Sequence, residues 1–216
     1  MNLPPIYYEQ VRKKSIWTTG DFKVALDFIK AHPGKLLEIG AAGSRLREFV
    51  SDYVGLDPHP MEGLIQGAWE NLPFPDNSFD IIFSSQTLQM LSNPRKALEE
   101  SMRVVKSGGY VMIIAPNLER PWSHIPSTRF YNHFQHAKLF VVRMGDSVRR
   151  LLGGMPFRVL PQNYVEARGM FERPDDDLKY LVSAYEVTRL FRSNYFRMID
   201  RKSYMAGGMR CIFQKP

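Results

Sequence analysis

Lys35–Arg45 reads KLLEIGAAGSR, a nearly continuous apolar run that ends in small residues. A short run of this kind fits a strand covered on both faces of a sheet. The small residues then form a turn, and Leu46, Phe49 and Val50 give the following segment the apolar stripe of a helix. A strand-turn-helix at the start of an α/β sheet is where ligands settle, beyond the carboxyl ends of the strands. The turn has only two glycines, Gly40 and Gly43, with Ala42 and Ser44 where a phosphate or nucleoside loop often has glycine.

The same rhythm extends on both sides. Upstream, Thr18–Asp21 (TTGD) fits a capping box. Phe22, Ala25, Leu26 and Ile29 recur at helical spacing until His32, Pro33 and Gly34 stop the helix. Downstream, YVGLD (Tyr53–Asp57) is a second strand, GLIQG (Gly63–Gly67) a weak third and FDIIFSS (Phe79–Ser85) a strong fourth. Asn93 and Pro94 start a helix with Leu98, Ser101, Met102 and Val105 on one face, and Ser107–Gly109 is expected to end it. YVMIIAP (Tyr110–Pro116) is the fifth strand. Alternation of this kind predicts an α/β fold with a mainly parallel sheet.

After Pro116 the rhythm breaks. Residues 117–182 are rich in aromatics and prolines and hold three of the five histidines. Order returns at SAYE (Ser183–Glu186), a second capping box, followed by Val187, Leu190 and Phe191. Tyr195–Asp200 and Met209–Lys215, joined through Ala206–Gly208, then form a closing antiparallel pair. One domain is expected over 1–216. It divides into an N-terminal helical segment (1–34), a ligand-binding core (35–116), an inserted cap (117–182) and a closing helix and β-hairpin (183–216). An insertion of that length is longer than an ordinary loop and points to a functional role.

Composition narrows the class. The chain of 216 residues is 44% apolar, 12% aromatic and 24% charged, as for a globular protein with a real core. No apolar run approaches the length of a membrane span, and Pro4, Pro5 and Glu9 interrupt any signal core, so cytoplasmic residence is expected. A single cysteine, Cys211, excludes an internal disulfide and a cysteine-built zinc cage. The net charge of +7 comes without a long Lys/Arg block. A solvated surface is therefore favoured over a nucleic-acid or membrane-contacting one.

Two carboxylates give the turn its chemistry. Asp57, nineteen residues after Glu38, ends the second strand, where an acid can accept bonds from ribose hydroxyls. Glu38 beside Gly40 would repel a pyrophosphate but suits a cationic ligand. No Gly-x-Gly-x-x-Gly and no Gly-Lys-Ser/Thr is present, so neither a dinucleotide nor a nucleoside triphosphate is indicated.

LLEIGAAGS, VGLDPHP, GAWENLPFPDNSFDIIFSSQTLQML and MRVVKSGGYVMIIAPN, in that order, resemble the class I S-adenosylmethionine-dependent methyltransferases. The resemblance is closest to the small-molecule branch that includes quinone-biosynthesis C-methyltransferases, and covers about Lys35–Asn117 plus the elements from Ser183. It implies a Rossmann-like, doubly wound, seven-stranded, mostly parallel sheet with the last strand antiparallel. It also implies S-adenosyl-L-methionine as cofactor and methyl transfer to a small molecule. Glu38, Gly40, Ala41 and Ala42 would form the methionine-side turn, Asp57 and Pro58 the ribose side, Ala68 and Trp69 the adenine side. Ser85 and Gln86 would reach from the cofactor toward the acceptor. Departures from the family pattern are Ala42 and Ser44 for glycines, Ala68 for an adenine-binding aspartate, and Trp69 for an alanine. Trp69 would either stack on adenine or fill the core.

Methyl transfer from a sulfonium needs alignment and, for some acceptors, a base. His124, His133 and Tyr131 are the candidates for catalysis. His133 and His136 would share a helix face, yet no nearby acid completes a metal site, so no metal is expected. Trp122 would wall the acceptor or fill the cap. The run Phe130–Leu152 is expected to be a helix packed on the sheet edge with Arg143, Arg149 and Arg150 outside. The alternative for that run is contact with a lipid-like acceptor or an anionic membrane. Arg173–Asp177 (RPDDD) is expected to be a solvated turn. Two other functions remain in view, a non-catalytic module, prompted by Ala42, Ser44 and Ala68, and RNA methylation, which rests only on charge.

Overall fold

The structure, a computed structural model, describes residues 20–42, 44–119, 133–159, 180–203 and 208–216. The side chains of residues 134–136 and 203 are outside that description. Thr18 and Thr19, which carry the first capping box, and Gly43 also lie outside it, as do Trp122 and Arg173–Asp177.

Seven strands form one sheet in the order β3-β2-β1-β4-β5-β7-β6. They are β1 (Leu36–Ile39), β2 (Tyr53–Asp57), β3 (Ile65–Gln66), β4 (Phe79–Ser85), β5 (Val105–Pro116), β6 (Arg197–Ser203) and β7 (Gly208–Gln214). The first five pair in parallel, and β7 enters antiparallel between β5 and β6. The expected closing hairpin and antiparallel last strand are therefore present.

Alternate residues along the strands divide the core between two faces. Leu36, Ile81, Phe83, Met112 and Ile212 face α1 (Gly20–Ala31), which contributes Ala25, Leu26 and Ile29. Leu37, Ile39, Ile82, Ile113 and Phe213 face α2 (Pro94–Val104) and α4 (Ala184–Ser193). Helices on both faces are why β1 is buried at every position, and each fully buried aliphatic or aromatic side chain contributes roughly 1.5–3 kcal/mol. Within this face Phe191 stacks on Phe213 with ring centres 4.2 Å apart.

Three local expectations need correction. The segment after the turn is a single 3-10 turn, Leu46–Glu48, rather than a helix; Leu46 is buried but Phe49 faces solvent. Too little chain separates β1 from β2 for a longer helix to form and return. Ser107–Gly109 does not stop α2, which ends at Val104 with extended Val105 already in β5. The glycines instead serve a register shift in β5 opposite Phe79–Ile81, where Gly108 has φ +77° and a Cβ on Gly109 would lie 2.7 Å from the Asp80 carbonyl. Asn93 does cap α2, accepting the Lys96 amide at 3.2 Å.

The third correction concerns Ser183–Glu186. Ser183 Oγ accepts the Glu186 amide at 3.3 Å, as a capping residue should, but the Glu186 carboxylate does not reach back. Glu119, at the start of the insertion, supplies the acid at this helix start: its Oε2 accepts the Ser183 hydroxyl at 3.1 Å and the Tyr185 amide at 3.0 Å.

Candidate functional site

The chain runs outward from β1 to β2 and β3, then returns to place β4 on the other side of β1. The strand order reverses between β1 and β4, so their carboxyl ends open the crevice where α/β sheets bind ligands. The Gly40–Ser44 turn and the segment after Ser85 flank it.

Gly40 is required by geometry. Its φ is +76°, and a Cβ there would sit 2.0 Å from Thr87 Oγ1, across the crevice. The amides of Gly40 and Ala41 donate to the Leu56 carbonyl at 2.9 and 3.1 Å, which pins the turn to β2. Ala42 is not among the residues with positive φ, so its methyl carries no backbone strain. Its amide donates to Asp57 Oδ2 at 3.2 Å, while Asp57 Oδ1 accepts the His59 amide at 2.9 Å. Asp57 thus holds the turn, and a carboxylate with about four acceptor positions keeps capacity for ligand hydroxyls. Exposed Pro58 adds a carbonyl that accepts from Gln66 Nε2 at 3.3 Å.

Glu38 lies beneath this turn, buried. Its Oε2 accepts the Tyr53 hydroxyl at 2.7 Å. Burial pushes its carboxyl up to about 7, an effect partly offset by hydrogen bonds from Ser44 and Tyr53. Burial and the Glu38 charge in turn raise the Tyr53 hydroxyl. No lysine, arginine or histidine forms an ion pair with Glu38 among the described residues. Ser44, one of the replaced glycines, therefore has a role of its own: it bonds Glu38 and also accepts the Leu46 amide at 3.1 Å.

The sequence reading does not place Tyr53 in this site, whereas Thr87 belongs to the SSQTL stretch (Ser84–Leu88) expected to line the cofactor. Gly55 was the available signal for Tyr53, since glycine inside a strand marks close approach. A Cβ on Gly55 would meet the Tyr53 hydroxyl at 2.8 Å.

On the β4 side, Ser84 Oγ donates to the Ile39 carbonyl at 3.0 Å and ties the two central strands together. Ser85 Oγ is buried without a hydrogen-bond partner among the described residues. Gln86 is exposed with φ +55°, a left-handed conformation that costs a non-glycine residue roughly 1 kcal/mol or more. Gln89, absent from the sequence reading, donates from Nε2 to the Gln86 carbonyl at 2.8 Å and leaves Oε1 buried without a hydrogen-bond partner among the described residues. Such atoms are expected to meet a ligand or ordered water.

The other sequence-derived residues are distributed differently. Ala68 is exposed, at a bridge to Asn71. Trp69 is 2% exposed and donates its indole N–H to Ser101 Oγ at 2.7 Å, so it is a core residue against α2 and presents no open face for stacking. His124 and Tyr131 lie outside the described residues. His133 opens α3 (His133–Leu151), exposed; the side chain of His136 is not described.

In α3 the expected orientation is reversed for two of three arginines. Arg143 and Arg150 point inward and only Arg149 points out. Arg143 donates to the Leu118 carbonyl at 3.0 Å, and Arg150 to Glu186 Oε1 at 2.7 Å and the Glu119 carbonyl at 3.1 Å. Glu186 also accepts the Phe157 amide and the Tyr180 hydroxyl, each at 3.0 Å. Asp146 receives Arg158 through two bonds of 2.8 and 2.7 Å. This network, with the Tyr180 amide on the Gln89 carbonyl at 2.9 Å, fastens the segment after β5 to α4 and to the crevice.

Comparison with known proteins agrees with this geometry. Residues 37–113 match the methyltransferase domain family. A demethylmenaquinone methyltransferase from Paenarthrobacter aurescens is 48% identical over 60 residues, covering 28% of this chain and 24% of that protein. A ubiquinone/menaquinone biosynthesis C-methyltransferase from Pasteurella multocida is 26% identical over 181 residues, covering 82% and 66%. The chain spans less than two thirds of the length of the curated relatives it matches. A solved S-adenosylmethionine-dependent methyltransferase from Aquifex aeolicus superposes with TM-score 0.56 at 16% identity, covering 98% of each chain, a likeness of fold. The chain thus resembles the class I S-adenosylmethionine-dependent methyltransferases in sequence across its parallel core and in fold.

Proposed function

We propose, from a chain whose residues 37–113 match a methyltransferase domain, that this protein transfers a methyl group from S-adenosyl-L-methionine to a small-molecule acceptor. The observation that carries the reading is Glu38, a buried carboxylate at the strand-order reversal with no ion-pair partner among the described residues. When bound, the cofactor supplies an electrophilic methyl group on a sulfonium. Glu38 would face its cationic amino-acid end, Gly40, Ala41 and Ala42 would line that end with backbone, and Asp57 would accept from the ribose. Ser85 and Gln89 would offer unpaired polar atoms to the acceptor.

In this reading the chain is one domain. Residues 35–116 bind the cofactor, 117–182 cover the acceptor and 183–216 close the sheet. A quinone precursor is the acceptor class favoured by the names of the two curated relatives. Calorimetry with the cofactor and with S-adenosylhomocysteine, followed by labelled methyl transfer to a panel of hydroquinones, phenols and amines, tests it. Binding with a methylated product is expected, and no binding up to millimolar cofactor would overturn it. A second reading, a binding module without catalysis, is favoured by exposed Ala68 and buried Trp69, neither of which offers adenine a side-chain acceptor or a stacking face. It requires cofactor binding with no product from any acceptor.

A further inference from the structure

Helix α3 is turned inside out relative to an ordinary surface helix. Such a helix buries its apolar stripe and exposes its charges. Here Arg143, Asp146 and Arg150 point inward and are bonded within the protein. Leu139 packs inward against Leu118 and Leu181, but five other apolar residues point out: Val141 is 68% exposed, Val148 51% and Leu151 86%, with Phe140 and Met144 more than two fifths exposed. Leu152, just past the helix, is 84% exposed. At 100° per residue these positions fall within about one third of the helix circumference, a continuous stripe.

Charge decides what covers the stripe. The only carboxylate of α3, Asp146, is sealed inside by Arg158, so the helix presents no exposed acid. Its exposed charged residues are Lys138 and Arg149, on the same border of the stripe and about 16 Å apart along the helix. Arg149 reaches Asp146 only at 3.8 Å and remains 66% exposed. An exposed apolar stripe edged by cations fits an interfacial helix lying on an anionic lipid surface. A second copy of the chain fits less well, because each copy carries +7 and would bring its own cationic border to the contact. No helix among the described residues is long and apolar enough to cross a membrane, so the contact would be peripheral.

We propose that the outward face of α3, from Phe140 to Leu152, docks on a membrane surface bearing anionic headgroups. Lys138 and Arg149 would sit at headgroup level, with Val141, Val148 and Leu151 entering the acyl boundary. The inference does not depend on methyl transfer, since it uses none of the crevice residues.

Vesicle flotation tests it, with phosphatidylcholine alone and mixed with phosphatidylglycerol, at low and high salt. The full chain should float with the anionic vesicles at least roughly tenfold better than with neutral ones, and less well at high salt. Leu151→Glu/Leu152→Glu should abolish flotation, and Lys138→Glu/Arg149→Glu should lower it toward the neutral-vesicle level. Cofactor affinity, measured on the same samples, should stay unchanged in both variants, which separates this result from the fate of the methyltransferase reading. The proposal is overturned if the wild-type chain stays behind with both vesicle types at low salt. Undiminished flotation of Leu151→Glu/Leu152→Glu also overturns it. So does light scattering that finds a dimer dissolved by that variant while vesicles are ignored.

Discussion

Among the described residues two glutamates are buried, with opposite surroundings. Glu186, at the start of α4, is fully buried, and burial raises its carboxyl, but Arg150, Tyr180 and the Phe157 amide all bond to it. Glu38, at the end of β1, is raised by burial as well, yet among the described residues its partners are two hydroxyl groups and no cation. A buried carboxylate is costly unless paired. Where the chain supplies the cation, the result is a latch holding the segment after β5 to the sheet. Where it supplies none, a cationic ligand can complete the pair, and the place becomes a site.

The largest effect should come from making the latch resemble the site. Arg150→Met leaves Glu186 buried without its cation and should cost about 3–5 kcal/mol in denaturant unfolding. The double variant Arg150→Met/Glu186→Gln should regain most of that loss, because no stranded charge remains.

Gly40→Ala attacks the site through its turn. The added methyl meets Thr87 at a backbone angle that disfavours alanine, so a loss of about 2–3 kcal/mol and a collapse of cofactor affinity are expected. Unchanged affinity in calorimetry would mean that the turn is not the ligand cradle.

Glu38→Gln separates stability from binding. Wild-type Glu38 holds a proton in the folded state from about pH 4.5 to 7 that the unfolded chain has released. Across that window its contribution lowers unfolding free energy as pH rises. The glutamine variant should therefore be more stable than wild type above pH 7, by on the order of 2–3 kcal/mol, while binding the cofactor roughly 10–100-fold more weakly. The same substitution at Glu186 strands Arg150 and should destabilise. The smallest effect should be Ala42→Gly, a loss of about 0.4–1 kcal/mol from added unfolded-state freedom with no gain in affinity.

Much of the fold could be read from the sequence because the central strands are continuous apolar runs and β7 repeats that pattern after a turn. The turn itself was legible through Gly40 and the spacing of Glu38 to Asp57. What escaped depends on tertiary partners. Ser183–Glu186 has capping-box spacing, but nothing local reveals that Glu186 turns inward to Arg150 and that Glu119 takes its place. Ser107–Gly109 looks like a helix stop because glycines that permit a strand irregularity have the same composition. The period of α3 was readable, whereas which side faced inward was not, since bonds to Leu118, Arg158 and Glu186 decide it. Sequence alone suits Trp69 to core or cofactor, and its bond to Ser101 places it in the core.

The pH dependence of cofactor affinity tests the central claim most directly, measured by calorimetry at pH 6 and pH 8 in two buffers of different ionisation enthalpy. Glu38 is largely protonated at the lower pH and ionised at the higher. A cation bound beside it should bind about tenfold more tightly at pH 8, and should release a proton at pH 6. Glu38→Gln should bind equally at both. Wild-type affinity that is flat across this range, with no proton released, would contradict the assignment of Glu38 as the partner of a cationic ligand.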